Sequence, residues 1–349
     1  RVRCSKIFLG IQTVYGKTDL MGFDHSQTAD LLSAALPKNE ITFRLRNEDK
    51  RWNPDHPSGA EQYLSERQEI TLRYGMMVEG AIEWIKGGTF WLSEWSTPSN
   101  GLEATFTARD ALEFMNEEYR GIRIGTLYEI AEAAFIQADL PRVNDGSIRY
   151  VLDSKLESYT TDFSGESQNY TVAQILQLVA HAGNCVFYQD REGMVRIETW
   201  RTNYADYMVE PEISYRHPEY TFNKPLKAIS VAYGEDLREV IPVGDRGEVQ
   251  TVDNVMINSL DHAKAVGERA SEILSNRKVI SGEYRADVRL DVLDPIIVTS
   301  KYASNIIAIT DIKYSTTGGA FRGTYTGRVV SLSLQEEERY SGEFFVGEI

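Results

Sequence analysis

One short β-hairpin pattern occurs twice in this chain, and it constrains the fold more than any other sequence feature. Residues 104–109 run small, Thr, aromatic, Thr, small, Arg, and residues 323–328 repeat that order. Each copy follows a turn-forming segment, at residues 97–101 and 316–319, and each turn follows an aromatic or aliphatic strand-like segment. The shared order of strand, turn and strand predicts two copies of one small β domain in a single chain.

Composition and charge exclude several classes of protein. The chain has 349 residues, of which 42% are hydrophobic and 26% charged, as is typical of soluble globular proteins. Its formal net charge of −15 argues against a nucleic-acid groove or an anionic membrane surface as the main partner, because both need clustered Lys and Arg. No apolar run approaches the ~18 residues that a membrane-spanning helix requires, so we expect no membrane insertion of this span.

The patterning predicts an α+β fold that is mainly β, with two similar small antiparallel β-barrel domains and helix-and-hairpin α+β domains between them. Many short alternating segments separated by turn signals indicate strands, whereas residues 116–205 show helical periodicity. The expected domains are residues 1–115 (first barrel, with the role of residues 1–35 left open), 116–205 (helix-and-hairpin module), 206–280 (linking α+β region with a long helix) and 281–349 (second barrel with an acidic tail).

Three helix starts carry capping signals. Thr126 with Glu129, and Thr171 with Gln174, have the spacing of capping boxes, and each precedes apolar residues at helical spacing. Ser259 is placed to cap a long helix that runs to about residue 276. We therefore expect helices to begin directly after these three residues.

Glycines predict three further chain features. Gly183 is suited to end the second helix, and Gly193 lies in the turn of a hairpin formed by residues 186–188 and 194–197. Gly87 and Gly88 separate two strand-like segments, which predicts a tight hairpin there.

Two arginines and three tryptophans are the candidate functional residues. Arg109 and Arg328 end the two repeats, and they either pair with carboxylates across barrel–barrel interfaces or are solvated strand-end residues. Trp84, Trp91 and Trp95 form either a sugar-stacking platform or, as alternation favours by placing Trp91 and Trp95 on one strand face, part of a core or an intersubunit seam.

No sequence pattern indicates a catalytic, cofactor or metal site. The five histidines include no pair at the i, i+4 spacing of a helical zinc site. A Gly-x-Ser-x-Gly elbow and a phosphate loop ending in Gly-Lys-Ser/Thr are both missing. Cys4 and Cys185 form no disulfide framework, and we expect Cys185 to be a buried structural thiol. We therefore expect a protein without a cofactor and without enzymatic activity over this span.

Four segments together resemble the tail hub proteins of tailed phages and related prophages, over roughly residues 36–334. The first is a strand, an Asn/Asp-rich turn and an aromatic-Asn-Pro; the second is the strand pair that includes the first repeat; the third is a central helix and hairpin; the fourth is the hairpin that contains the second repeat. These segments are residues 41–54, 90–95 with 104–110, 170–180 with 183–187, and 318–328.

The resemblance implies a structural hub of a phage tail tip or baseplate. It implies a homotrimer whose two barrels per chain match a sixfold tail tube to a threefold tip. Its partners would be a sixfold distal tail or tube protein, a tip, spike or fibre protein, and the tape-measure protein, with DNA passing through an acidic lumen without specific binding. The expected location is the virion tail tip or baseplate, after assembly in the bacterial cytoplasm.

Three other functions remain open from the sequence. They are a tail-associated cell-wall hydrolase, a receptor-binding tail module for host attachment, and the same hub role in a phage-like contractile particle. Some relatives of the family that this chain resembles carry a cell-wall-degrading or sugar-binding extension, and the sequence alone does not choose among these functions.

Overall fold

The computed structural model describes most of the chain. The described residues are 2–9, 13–16, 18–53, 55–56, 64–98, 101–143, 145–200, 205, 207–234, 237–301, 303–317 and 320–330.

Strands dominate the described part of the chain, which confirms the α+β, mainly β fold class. In chain order the strands are β1 Val2–Leu9, β2 Thr13–Tyr15, β3 Leu20–Thr28, β4 Lys38–Arg46, β5 Glu69–Val78, β6 Ala81–Ser96, β7 Glu103–Arg109, β8 Ile124–Thr126, β9 Tyr150–Leu152, β10 Thr160–Asp162, β11 Val186–Gln189, β12 Val195–Glu198, β13 Tyr207–Val209, β14 Glu219–Phe222, β15 Leu226–Ala232, β16 Arg238–Pro242, β17 Glu248–Val252, β18 Lys278–Arg285, β19 Pro295–Thr299, β20 Ser304–Thr317 and β21 Ala320–Val329. The α-helices are α1 Leu127–Ala138, α2 Val172–Ala182 and α3 Leu260–Leu274, and short 3₁₀ turns occupy Ala111–Phe114, Ser154–Ser158 and Pro211–Ile213.

One large sheet of 13 described strands contains strands from both ends of the chain. Its order is β14-β18-β21-β20-β3-β4-β7-β6-β5-β1-β2, and β19 pairs with both β20 and β13. Three smaller sheets lie in the middle of the sequence, in the orders β10-β8, β11-β12-β9 and β16-β15-β17. The large sheet therefore holds both sequence repeats, and the three α-helices and the three smaller sheets come from residues that lie between the repeats in the sequence.

The buried apolar side chains form two clusters. The first lies in the large sheet and includes Phe43, Phe106, Tyr284 and Tyr314. The second joins α1, α2 and α3 to the smaller sheets and includes Phe187, but it also takes in Trp91 from β6. Strand β6 thus contributes side chains to both clusters.

All three predicted helix starts are confirmed. Thr126 and Thr171 form complete capping boxes, in which each Thr side chain accepts from the backbone N–H three residues on and Glu129 or Gln174 accepts from the Thr backbone. The Ser259 side chain accepts from the backbone N–H of His262 at the start of α3. Each cap satisfies backbone donors that the first helical turn leaves unpaired.

The end of α2 at Gly183 is confirmed, although Gly183 itself does not have a left-handed backbone. Gly183 has an ordinary φ of −75°, and the left-handed residue is Asn184, at φ 53°. A Cβ on Gly183 would lie 2.3 Å from Leu156 Cδ2. The hairpin that follows, β11–β12, forms as predicted around the loop at 190–193.

The predicted hairpin at Gly87 and Gly88 is wrong. Strand β6 continues through both residues, and the chain turns instead at Glu79 and Gly80, which have positive φ angles of 46° and 87°. Gly87 is an extra residue where the pairing of β6 with β5 shifts register, and a Cβ there would lie 2.5 Å from the ring of Tyr74. The glycine pair therefore allows a β-bulge over a buried aromatic ring.

Candidate assembly surfaces

The sequence repeat corresponds to a structural repeat in the hairpins β6–β7 and β20–β21. Arg109 lies opposite Trp91, and Arg328 lies opposite Ala308. The pairing then shifts by one residue at the same place in both hairpins, between Leu92 and Glu94 on β6 and between Ile309 and Asp311 on β20. Because the bulge has the same position and direction in both hairpins, the similarity between the two copies extends beyond the six residues of the sequence repeat.

The repeat extends to units of five strands. Strand β4 pairs with β7, β7 with β6, and β6 with β5; in the same way β18 pairs with β21, β21 with β20, and β20 with β19. Strand β3 flanks β4, and β14 flanks β18, both antiparallel. We call β3–β7 unit A, and β14 with β18–β21 unit B. The two units have the same strand order.

Strand β3 joins the two units within the chain. One edge of β3 pairs with β4 of unit A, and its other edge pairs with residues 311–315 of β20 in unit B. The sequence left the role of residues 1–35 open. Phe23, His25 and Gln27 alternate along β3 and are each 2% exposed. Two of these three buried residues are polar, so a pattern of alternating hydrophobic residues does not reveal the strand.

His25 lies at the centre of this joint. Its Nδ1 is 2.6 Å from the Tyr74 hydroxyl and its Nε2 is 2.9 Å from Asn39 Oδ1, so both ring nitrogens have partners. The rings of Phe90 and Tyr314 also contact it. Burial lowers the pKa of His25 to about 4, which outweighs the opposing effect of the hydrogen bond to Asn39. The imidazole is therefore neutral at physiological pH and acts as part of the core.

Arg109 forms a cluster of ion pairs within its own chain. It donates to Glu40 Oε2 at 3.2 Å, to Glu94 Oε1 at 3.0 Å and to Ser93 Oγ at 3.1 Å, and Glu113 Oε2 lies 3.6 Å away. The hydrogen bond to Glu40 and the nearby carboxylates raise the pKa of Arg109. Its side chain is still 41% exposed and that of Glu94 is 68% exposed. The cluster links β4, β6 and β7 and leaves one carboxylate facing outward.

Arg328 occupies the equivalent backbone position with different surroundings. Its Nη1 donates to the backbone oxygen of Asn276 at 3.0 Å, and Val279 stands opposite it where Glu40 stands opposite Arg109. Burial lowers its pKa. The two repeat arginines thus share a place in the fold but not a set of partners.

Trp91 and Trp95 lie on different faces, so the prediction that alternation places them together is wrong. The extra residue at the bulge, Ser93, reverses the alternation between them. Trp91 is 1% exposed in the second cluster, with its ring centroid 5.3 Å from that of Phe114 and 5.2 Å from the guanidinium carbon of Arg149. Trp95 packs, half-buried, against the first cluster. A shared stacking platform is therefore not formed.

Three further features of the described residues concern metal ligands, the buried cysteine and membrane-spanning helices. Among them no group of three His, Cys, Asp or Glu side chains is placed to hold a metal ion. Cys185 is buried, as expected, and burial raises the pKa of its thiol to about 11. In the part of the chain that is described, no helix combines the length and the apolar character needed to cross a membrane.

The sequence matches no family model and no curated protein. Among solved structures, the chain is similar to a tail protein from Neisseria meningitidis, with 10% identity, a TM-score of 0.62, and coverage of 94% of this chain and 96% of that one. It is similar to a 43 kDa tail protein of a Shewanella oneidensis prophage, with 10% identity, a TM-score of 0.58, and coverage of 93% and 97%.

A third similar structure comes from outside phages. It is an E. coli protein described as a component of the type VI secretion system with structural similarity to bacteriophage T4 tail proteins, and it matches with 10% identity, a TM-score of 0.52, and coverage of 95% of this chain and 77% of that one. The chain therefore has the fold of phage and prophage tail proteins and of their relatives in secretion systems, and the predicted resemblance is confirmed at the level of the fold.

Proposed function

We propose that this protein is a structural hub of a phage tail tip or baseplate. The observation that carries the proposal is the presence of two five-strand units with one strand order and one bulge position in a chain with the tail-protein fold. A chain with two copies of one unit forms a ring with twice as many units as subunits. Three chains would then present six similar units.

This geometry supplies the mechanism. Six units on one face match a sixfold tail tube, while the three chains keep threefold symmetry for a tip, spike or fibre protein on the other. The proposed domains are residues 1–115, 116–205, 206–280 and 281–349, and unit B takes β14 and the first residues of β18 from the third of them. Arg109 and Trp95 are the proposed contact residues of unit A, because they are the candidates in this unit that are partly exposed, and the exposed Glu94 pairs with Arg109.

The channel of this ring would surround the tape-measure protein and then the DNA. The net charge of −15 supports an acidic lumen, because a negative wall does not bind the phosphate backbone that slides past it. The proposed role requires no catalysis and no cofactor. The protein would assemble in the bacterial cytoplasm and function at the virion tail tip.

The test is the mass of the purified chain by light scattering over a concentration series. A species near three times the chain mass of 39.5 kDa supports the trimeric hub, and imaging should then show a ring with six lobes. A strict monomer at every concentration would contradict self-association as the basis of the ring.

The same hub role in a phage-like contractile particle is the second candidate. The similarity to the secretion-system component favours it. The two candidates share a mechanism and differ in partners, so affinity capture with a candidate tube protein from each kind of particle would distinguish them.

A further inference from the structure

Among the strand edges that lack a partner in the described part of the chain, two lie in the repeated units. One is the outer edge of β14, whose four residues are all exposed, with Phe222 63% and Tyr220 36% exposed. The other is the edge of residues 94–98, at the end of β6 and beyond it. Strand β5 pairs with β6 only as far as Trp91, and β7 pairs with the opposite side as far as Ser96. Open edges present unpaired N–H and C=O groups that readily accept another strand.

The internal repeat relates these two edges to a joint that is already formed. In unit B the first part of β20 pairs with β19 and the next part, residues 311–315, pairs with β3. In unit A the first part of β6 pairs with β5, and residues 94–98 are the equivalents of residues 311–315. Strand β14 holds in unit B the place that β3 holds in unit A. Both halves of a second joint are therefore present in each chain.

We propose that β14 of one chain pairs antiparallel with residues 94–98 of a neighbouring chain, which repeats between subunits the contact that β3 and β20 make within one. This inference rests on the trimeric hub proposed above and specifies how its subunits meet. The contact is head-to-tail, so a ring closes only when the last chain meets the first.

The register follows from the bulges. Glu94 and Asp311 both lie directly after the extra residue and face the equivalent threonines of the two repeats, Thr107 and Thr326. Trp95 is therefore the equivalent of Ile312, and Ser96 of Lys313.

The partner strand follows in the same way from its pairing with β4 or β18. Asp24 lies opposite Thr42, and Glu219 opposite Ser281, at matching places in the two units. Phe222 is then the equivalent of Gln27, and Thr221 of Ser26. Because Ile312 pairs with Gln27 and Lys313 with Ser26 within the chain, Trp95 should pair with Phe222 and Ser96 with Thr221 between chains.

The chemistry of this register is favourable. Phe222, exposed in the single chain, would be covered by Trp95, and an aromatic cross-strand pair stabilises a sheet. The other expected pairs are Glu94 with Asn223, Thr97 with Tyr220, and Pro98 with Glu219. None of them places like charges opposite each other. In the joint within the chain the equivalent residues Ile312 and Gln27 are each 2% exposed, which is the burial expected for the aromatic pair.

Disulfide trapping tests the register. The double variant Ser96→Cys/Thr221→Cys places thiols on directly opposite residues, within the Cα separation that a disulfide needs, and leaves both aromatic residues in place. We expect mild oxidation to give covalent dimers and then trimers, and no larger species. The matched control Thr97→Cys/Thr221→Cys is one residue out of register with its side chains on opposite faces, and should cross-link several-fold more slowly.

Mixing the single variants Ser96→Cys and Thr221→Cys tests whether the bond joins different chains. Each chain then carries one introduced thiol, so we expect covalent dimers and no covalent trimers. A second variant, Phe222→Ser, should weaken self-association about tenfold or more, as expected for loss of an aromatic anchor. Ile136→Ser, which removes a side chain that is 69% exposed on α1, should leave it unchanged.

The outcomes separate the two proposals. A trimer by light scattering that shows no preference between the in-register and out-of-register pairs overturns this joint and leaves the hub standing. A chain that stays monomeric and forms no cross-link overturns both.

Discussion

His25 makes the stability of the joint between the two units depend on pH, and this dependence can be predicted from its surroundings. The ring is 2% exposed, is held by Tyr74 and Asn39, and has a pKa lowered by burial from 6.5 to about 4. The unfolded chain takes up a proton on this histidine below pH 6.5, whereas the folded chain does so only near pH 4. Stability is therefore present above pH 6.5 and is lost as the pH falls through 4.

The size of this effect follows from the shift. A lowering of the pKa by about 2.5 units corresponds to about 3 kcal/mol of folding free energy, lost between pH 6.5 and 4. In His25→Gln this dependence is absent, while the variant is destabilised at pH 7 by about 1–3 kcal/mol because buried hydrogen bonds are lost. The difference in the free energy of unfolding between the parent and the variant should therefore change by about 3 kcal/mol in favour of the variant between pH 6.5 and 4.

Denaturant unfolding followed by tryptophan fluorescence at a series of pH values from 7 to 4 measures this difference. Phe106→Leu is the matched control, because it weakens the same cluster without removing a titrating group, and its deficit should not change with pH. Parallel stability curves for the parent and His25→Gln over this pH range would show that the proton affinity of His25 does not change on folding.

Three further predictions concern single residues. Burial raises the pKa of Asp110 to about 7, so the folded chain loses stability as the pH rises from 4 to 7. The free energy of unfolding of Asp110→Asn, measured by denaturant titration, should therefore rise relative to that of the parent by up to roughly 4 kcal/mol between pH 4 and 8. Gly87→Ala should cost about 1–3 kcal/mol by overpacking Tyr74, whereas Gly165→Ala, with open space around it, should stay within about 0.5 kcal/mol in thermal unfolding. Arg109→Gln should lower the free energy of unfolding by about 1 kcal/mol at low salt and by less at high salt, because salt screens its ion pairs. An equal loss in denaturant unfolding at both salt concentrations would contradict an electrostatic origin.

Features that depend on neighbouring residues could be predicted from the sequence alone. Capping at Thr126, Thr171 and Ser259 was predictable because each cap bonds to a backbone group within the next turn. The two hairpins that carry the repeat were predictable for the same reason, since strand, turn and strand follow one another along the chain.

Which strands meet, and which way their side chains face, depends on the fold as a whole. The bulges at Gly87 and Ser93 depend on the strands opposite, so a pattern of alternation could not show that β6 continues through the first or that the second separates Trp91 from Trp95. The joint formed by β3 was hidden for a related reason: its buried row contains His25, a polar residue that is stable in a core only where distant Tyr74 and Asn39 supply partners. Hydrogen bonds within one helical turn depend on residues that are close in sequence, so a short sequence pattern predicts them. Pairing between strands that are far apart in sequence depends on the three-dimensional fold, so no short pattern predicts it.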